Sequence, residues 1–187
     1  MKDIITLMAT AFATCLTAFA QNNDGIKTGN GMKETKTLVA YFSATGTTEE
    51  VAGMIADAIG GYLYSIEPEK PYTSADLNWN DKSSRSSIEM NDSSSRPAIK
   101  AGLENASEYD VIYLGFPIWW NFAPRVISTF LETYDFSGKT VIPFATSGGS
   151  GINNSENALK KAYPSINWQT GRLLNRATKA SVEDWVK

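Results

Sequence analysis

Residues 37–52, TLVAYFSATGTTEEVA, decide how the rest of the chain is read. Leu38-Val39-Ala40-Tyr41-Phe42 is apolar, rich in β-formers and too short for a helix, which suits a strand buried on both faces. Ser43-Ala44-Thr45-Gly46-Thr47-Thr48 then breaks the run. Val51, Met54, Ile55 and Ala58 recur at i, i+3, i+4 and i+7, so a helix follows with that stripe towards a core. Thr47 or Thr48 can cap it, and Glu49 and Glu50 suit the positive end of its dipole. Strand, hydroxyl-rich loop and helix start together make a place where neutral N–H and O–H donors converge on an anion such as phosphate. The loop has no Lys or Arg, which separates it from the lysine-bearing GxxxxGK[ST] loop.

The 187 residues allow one domain with a full core. The net charge of −3 and the lack of a basic run argue against nucleic acid as a partner. No histidine is present, which excludes Ser-His-Asp and Cys-His catalysis and histidine-ligated metals. Cys15 is the single cysteine, so an intrachain disulfide and a cysteine-held cluster are excluded too. Ile4 to Ala20 is an uncharged run ending Ala18-Phe19-Ala20, read as a secretory signal peptide cleaved after Ala20. It is short and carries four threonines, so a permanent membrane span is disfavoured. Phe12 and Thr14 fit a lipid-anchor signal at Cys15 poorly. The expected order is therefore a leader over 1–20, a solvated linker over 21–35 and a folded domain over 36–187, exported to the periplasm.

The domain continues with Gly60-Gly61 as a helix stop and Tyr62–Ile66 as a second strand. Tyr72–Pro97 is polar and serine-rich, with a marginal helix between Ala75 and Glu89 and Trp79 read as a cover for the core edge. Asp110–Gly115 is the third strand and leads into Pro117-Ile118-Trp119-Trp120-Asn121. Pro124 suits the first position of a helix whose buried face is Val126, Ile127, Phe130, Leu131 and Tyr134. Thr140–Ala145 is the fourth strand, followed by Thr146-Ser147-Gly148-Gly149-Ser150-Gly151. Asn153 with Glu156 resembles a capping box. Trp168–Leu174 reads as the last strand, and Ser181 with Asp184 as the cap of a final helix. Five alternations of strand and helix predict a three-layer α/β domain, a parallel sheet with helices on both faces.

In such a sheet ligands sit at the carboxyl ends of the strands, and three unusual loops each follow an apolar strand. The first suits a phosphate. The second places two adjacent indoles in a proline-bounded loop, where at least one can form a stacking wall for a planar ring. Asn121 tolerates positive φ, so a peptide there could turn a polar group towards a ligand. The third has glycines at 148, 149 and 151, whose bare backbone can approach a ligand closely. Together they describe a site for a phosphorylated, flat, heteroaromatic cofactor.

In YFSATGTT, GFPIWWNFAP and FATSGGSG, in that order, the chain resembles the flavodoxin-like family over Lys36–Lys187. The resemblance implies a doubly wound five-stranded sheet in the flavodoxin order 2-1-3-4-5, with FMN at the switch point. It implies a phosphate held by Ser43, Ala44, Thr45, Gly46, Thr47 and Thr48. The ring would lie between Pro117, Ile118, Trp119, Trp120 and Asn121 on one side and Thr146, Ser147, Gly148, Gly149 and Gly151 on the other. A carbonyl near Trp120-Asn121 could accept from the ring N5–H. A phosphate without a nearby cation, and indoles against the ring, would disfavour negative charge on it and lower its potential. Asn121 stands where many relatives have glycine, and the third loop lacks their aromatic, so one ring face is open. The expected function is electron transfer with redox proteins or small donors and acceptors. The alternative is an NAD(P)H- or quinone-dependent FMN oxidoreductase.

Overall fold

Side-chain alternation along the strands divides the core in two. In the computed structural model, which describes residues 35–187, β1 (Thr37–Tyr41) sends Leu38 and Ala40 to one face and Val39 and Tyr41 to the other. β3 (Val111–Pro117) and β4 (Thr140–Thr146) do the same with Ile112, Leu114 and Val141 against Tyr113 and Phe144. The first set packs on α3 (Arg125–Thr133) and α4 (Asn153–Ala162). The second packs on α1 (Thr47–Ile59) and α5 (Lys179–Val186). Both faces are covered, as a parallel sheet requires.

The sheet is parallel throughout. Its order is β2-β1-β3-β4-β5, with β2 at Tyr62–Ser65 and β5 at Asn167–Trp168. β1 therefore lies between β2 and β3, and the strand order reverses beside it. The carboxyl ends of β1, β3 and β4 are neighbours.

The last strand departs from the expected Trp168–Leu174. It is two short pieces, β5 and β6 (Arg172–Leu173), both paired with β4. Pro143 supplies the reason. Gln169 N–H donates to Val141 C=O and Leu174 N–H to Ala145 C=O, so β4 turns its odd-numbered backbone groups towards this strand. Pro143, between them, has no N–H to offer. The register changes by one residue there, and a Cβ at Gly171 would lie 2.4 Å from the Pro143 carbonyl oxygen.

Several helix details also differ from expectation. The buried face of α1 is Thr48, Val51, Ala52, Ile55 and Ala56, with Met54 and Ala58 at its margin. Small Ala52 and Ala56 let the helix approach the sheet closely. Neither Thr47 nor Thr48 caps it; Gly46 is the N-cap, at φ +90°. Pro124 is itself the N-cap of α3, and Tyr134 lies just past its end, only half-buried. α4 has the apolar Ile152 at its N-cap rather than Asn153, so no side chain caps it, and Glu156 accepts from Gly171 N–H at 2.7 Å. The capping box of α5 is Thr178 with Ser181, not Ser181 with Asp184.

Between β2 and β3 the helix α2 covers only Arg85–Asn91. Residues 73–83 stay in turns because their side chains satisfy local backbone groups: Asp76 accepts from Thr73 N–H and Asp81 from Ser83 N–H. Ser84 then caps α2 through Ser87 N–H. The expected leader 1–20, with Cys15, and all but Thr35 of the expected linker 21–35 lie outside the described residues. Among the described residues no helix is long and apolar enough to cross a membrane.

Candidate functional site

A cleft of about 1050 Å³ opens at the carboxyl ends of β1, β3 and β4. That is the upper end of the size usual for small-molecule sites. Its first wall is the β1–α1 loop. Ser43 Oγ accepts from Gly46 N–H at 3.1 Å and closes the turn, and the left-handed backbone of Gly46 starts α1 without a side-chain cap. The N–H groups of Thr47, Thr48 and Glu49, which precede the first helical bond from Glu50 N–H to Gly46 C=O, therefore keep no intrahelical acceptor. Ser43, Ala44, Thr45, Thr47 and Thr48 border the cleft; Gly46 does not, although a Cβ on it would meet nothing within 4 Å. Tyr41 O–H donates to Glu49, engaging one of the two carboxylates in that turn.

The second wall is the β3–α3 loop, from which Pro117, Ile118, Trp119 and Trp120 border the cleft. Trp119 N–H donates to Phe122 C=O and Phe122 N–H donates back to Trp119 C=O, each at 2.9 Å. Trp120 at φ +47° and Asn121 at φ +68° fill the two central positions of this tight turn. A left-handed tryptophan is a strained choice of residue.

The two indoles have different surroundings. Trp119 packs edge-on against Phe42 and Tyr72, at centroid distances of 5.6 and 5.2 Å. Trp120 is 42% exposed. Asn121 does not border the cleft, and its carbonyl accepts from Ser155 Oγ at 3.2 Å. The Asn121 carbonyl is therefore engaged within the protein.

From the third loop Thr146, Ser147 and Gly148 border the cleft, and Gly149 and Gly151 do not. Ser147 Oγ accepts from Gly149 and Ser150 N–H, so this backbone is less bare than its glycines suggest. None of the three glycines has positive φ, and a Cβ on any of them would meet open space. The fold itself does not require glycine there. Thr48 and Thr146, both buried, share a 2.8 Å hydrogen bond between hydroxyls that ties the first loop to the third.

Five further residues reach the cleft from segments with no legible motif: Leu77, Trp79, Ser86, Asn175 and Arg176. Trp79 is 71% exposed, so it is not a cover for the core. Asn175 Oδ1 accepts from Ser147 N–H at 2.7 Å and sets Arg176 beside the third loop. The first loop lacks a cation, as its sequence shows, but Arg176, from the other end of the chain, borders the same cleft. Nothing local in Asn175-Arg176 signals this.

Tyr72 holds the segment 72–91, which brings Leu77, Trp79 and Ser86 to the cleft, in place. Its hydroxyl donates to Glu89, Arg85 lies 4.0 Å over its ring, and Arg85 Nε donates to Glu89 at 2.6 Å. Burial, then the bond to Glu89, pushes the Tyr72 hydroxyl far above the ordinary tyrosine range, so it remains a donor. Arg125 completes the clamp by donating to the Glu89 and Met90 carbonyls.

The family described as flavodoxin matches residues 36–187. A crystal structure of a protein from Bacteroides uniformis, described as a candidate flavoprotein, is 60% identical and superposes with a TM-score of 0.80. The match covers 81% of this chain and 97% of that one. A second protein so described, from Bacteroides eggerthii, is 58% identical over 81% of this chain and 96% of its own, with a TM-score of 0.79. A flavoprotein in complex with FMN from Lactobacillus acidophilus shares the fold at 23% identity, TM-score 0.65, over 82% of this chain and 99% of its own. No curated protein matches the chain.

Proposed function

This chain belongs to the flavodoxin family, and from that premise we propose that it binds FMN in the cleft and passes electrons between redox partners. The observation that carries the reading is the meeting of the β1–α1, β3–α3 and β4–α4 loops around one cleft, with Thr48 bonded to Thr146 across it. The residues suit the cofactor. The Thr47, Thr48 and Glu49 amides without intrahelical acceptors and the Thr45 and Thr47 side chains suit a phosphate. Trp120 offers an exposed indole for a planar ring, and Gly148 lets a ligand approach the backbone.

FMN, when bound, supplies reversible one- and two-electron reduction. This chain's part is to bind, orient and shield. Trp119, wedged between Phe42 and Tyr72, fixes the base of the ring wall. The Trp120 carbonyl is the backbone acceptor we assign to a ring N–H, since Ser155 engages that of Asn121. Without histidine, proton exchange falls to solvent rather than to an imidazole. Adding FMN to the purified apoprotein tests the reading: one equivalent should bind, with quenching of flavin fluorescence. A protein that takes up none sinks it.

A second reading is an FMN oxidoreductase that reduces quinones with NAD(P)H. The volume of the cleft and the absence of an aromatic from the 146–151 loop favour it, since one ring face would stay open to a second flat molecule. Steady NAD(P)H oxidation with a soluble quinone would support the enzyme; one-electron redox titration without such turnover would support the carrier.

A further inference from the structure

Ser86 is a buried polar group that the fold leaves unused. It is 1% exposed, borders the cleft, and its hydroxyl has no hydrogen-bond partner among the described residues. Such a group is costly to bury, and native proteins leave few of them. Neighbouring hydroxyls are all engaged: Ser83 with Asp81, Ser84 with Ser87, and Ser87 with the Asp81 carbonyl. Ser86 N–H already donates to Asp76 C=O at 3.0 Å, so the backbone is tied down without the side chain. The hydroxyl therefore has no structural duty.

We propose that the Ser86 hydroxyl is a direct hydrogen-bond contact to the polar edge of the flavin ring, which makes residues 72–91 a fourth wall of the cofactor site. The inference rests on the FMN reading and adds a residue that lies outside all three loop motifs. Its place in the fold assigns it to the ring rather than to the phosphate. The Glu89–Tyr72 bond and the Tyr72–Trp119 ring contact fasten α2 to the indole wall, and Arg125 fastens it to the start of α3. The hydroxyl is thus carried by a clamped element, whose backbone is placed before any ligand arrives. The chemistry agrees. The dimethylbenzene half of the ring has nothing to hydrogen-bond, whereas the pyrimidine half carries two carbonyls and an N–H. A neutral hydroxyl can donate to the first or accept from the second.

The test titrates wild type and Ser86→Ala apoprotein with FMN and with riboflavin, and compares their thermal unfolding. A ring contact predicts that the alanine variant binds both flavins about three- to tenfold more weakly, by the same factor for each. It also predicts an apoprotein melting temperature that is unchanged or higher, because an unsatisfied hydroxyl has been removed. Equal flavin affinity in variant and wild type overturns the contact. A penalty for FMN that vanishes with riboflavin places Ser86 at the phosphate and overturns it as well. So does a loss of affinity matched by a fall in the apoprotein melting temperature, the signature of a merely structural serine. Wild type that binds neither flavin removes the FMN reading, and this contact with it.

Discussion

The loop at 43–48 and the segment at 72–91 border the same cleft by different means. The loop is short, lies between β1 and α1, and is shaped by bonds within itself: Ser43 to Gly46, and Gly46 C=O from Glu50 N–H. The segment is long and polar, and is held by partners elsewhere: Tyr72 against Phe42 and Trp119, and the Glu89 carbonyl against Arg125. Local bonds make a rigid loop with free donors. Distant bonds make a wall whose shape depends on the whole domain. Substitutions in the first should therefore change ligand binding with little effect on stability, and substitutions in the clamp should do the reverse.

The largest effect is expected at Trp119, which belongs to the clamp. Trp119→Ala removes an indole packed on two rings and should lower apoprotein stability by about 2–4 kcal/mol; an unchanged urea midpoint would break the contrast. In the loop, Thr47→Asp puts a carboxylate at the edge of the cleft, where an anion would sit, in the first turn of α1 and without strain in φ. It should weaken FMN binding at least tenfold, about 1.4 kcal/mol or more, at nearly constant stability. Unchanged affinity in a fluorescence titration would remove the loop from the site.

Tyr72→Phe deletes one bond of the clamp and should cost about 1–2 kcal/mol of stability, read from the same urea midpoints. Flavin affinity should follow only as far as the wall loosens. The smallest effect is expected at Trp120, exposed and left-handed. Trp120→Ala should leave stability nearly unchanged and weaken FMN by about 0.5–1.5 kcal/mol of stacking. A stability loss as large as that of Trp119→Ala would show that the two indoles share one role.

The same contrast explains what was legible. β1, β3 and β4 announced themselves through continuous apolar runs, and helix α3 through its stripe of Val126, Ile127, Phe130 and Leu131. α2 did not, because Asp76 and Asp81 hold the residues before it in turns that polar composition alone does not separate from a weak helix. The split in the last strand hinges on Pro143, in another strand, whose missing N–H matters only once its direction is known. Asn153 and Glu156 have the spacing of a capping box, but the helix starts one residue earlier, with Ile152 at the N-cap, and Glu156 accepts from Gly171 N–H. Arg176 and Ser86 carry no pattern at all.

The layers and the edge on which three loops gather follow from the chain's own alternation, and the strand order from its resemblance to the flavodoxin-like family. A parallel sheet with right-handed crossovers puts every strand-to-helix loop at the same end, whatever the details of packing. What the cleft is made of beyond those loops was settled only by folding. Which indole is anchored, which carbonyl Ser155 captures, and whether a cation or an unpaired hydroxyl borders the cleft all depend on contacts between residues far apart in sequence. Periodicity reports the face on which a side chain lies, and only the assembled neighbours determine what it touches.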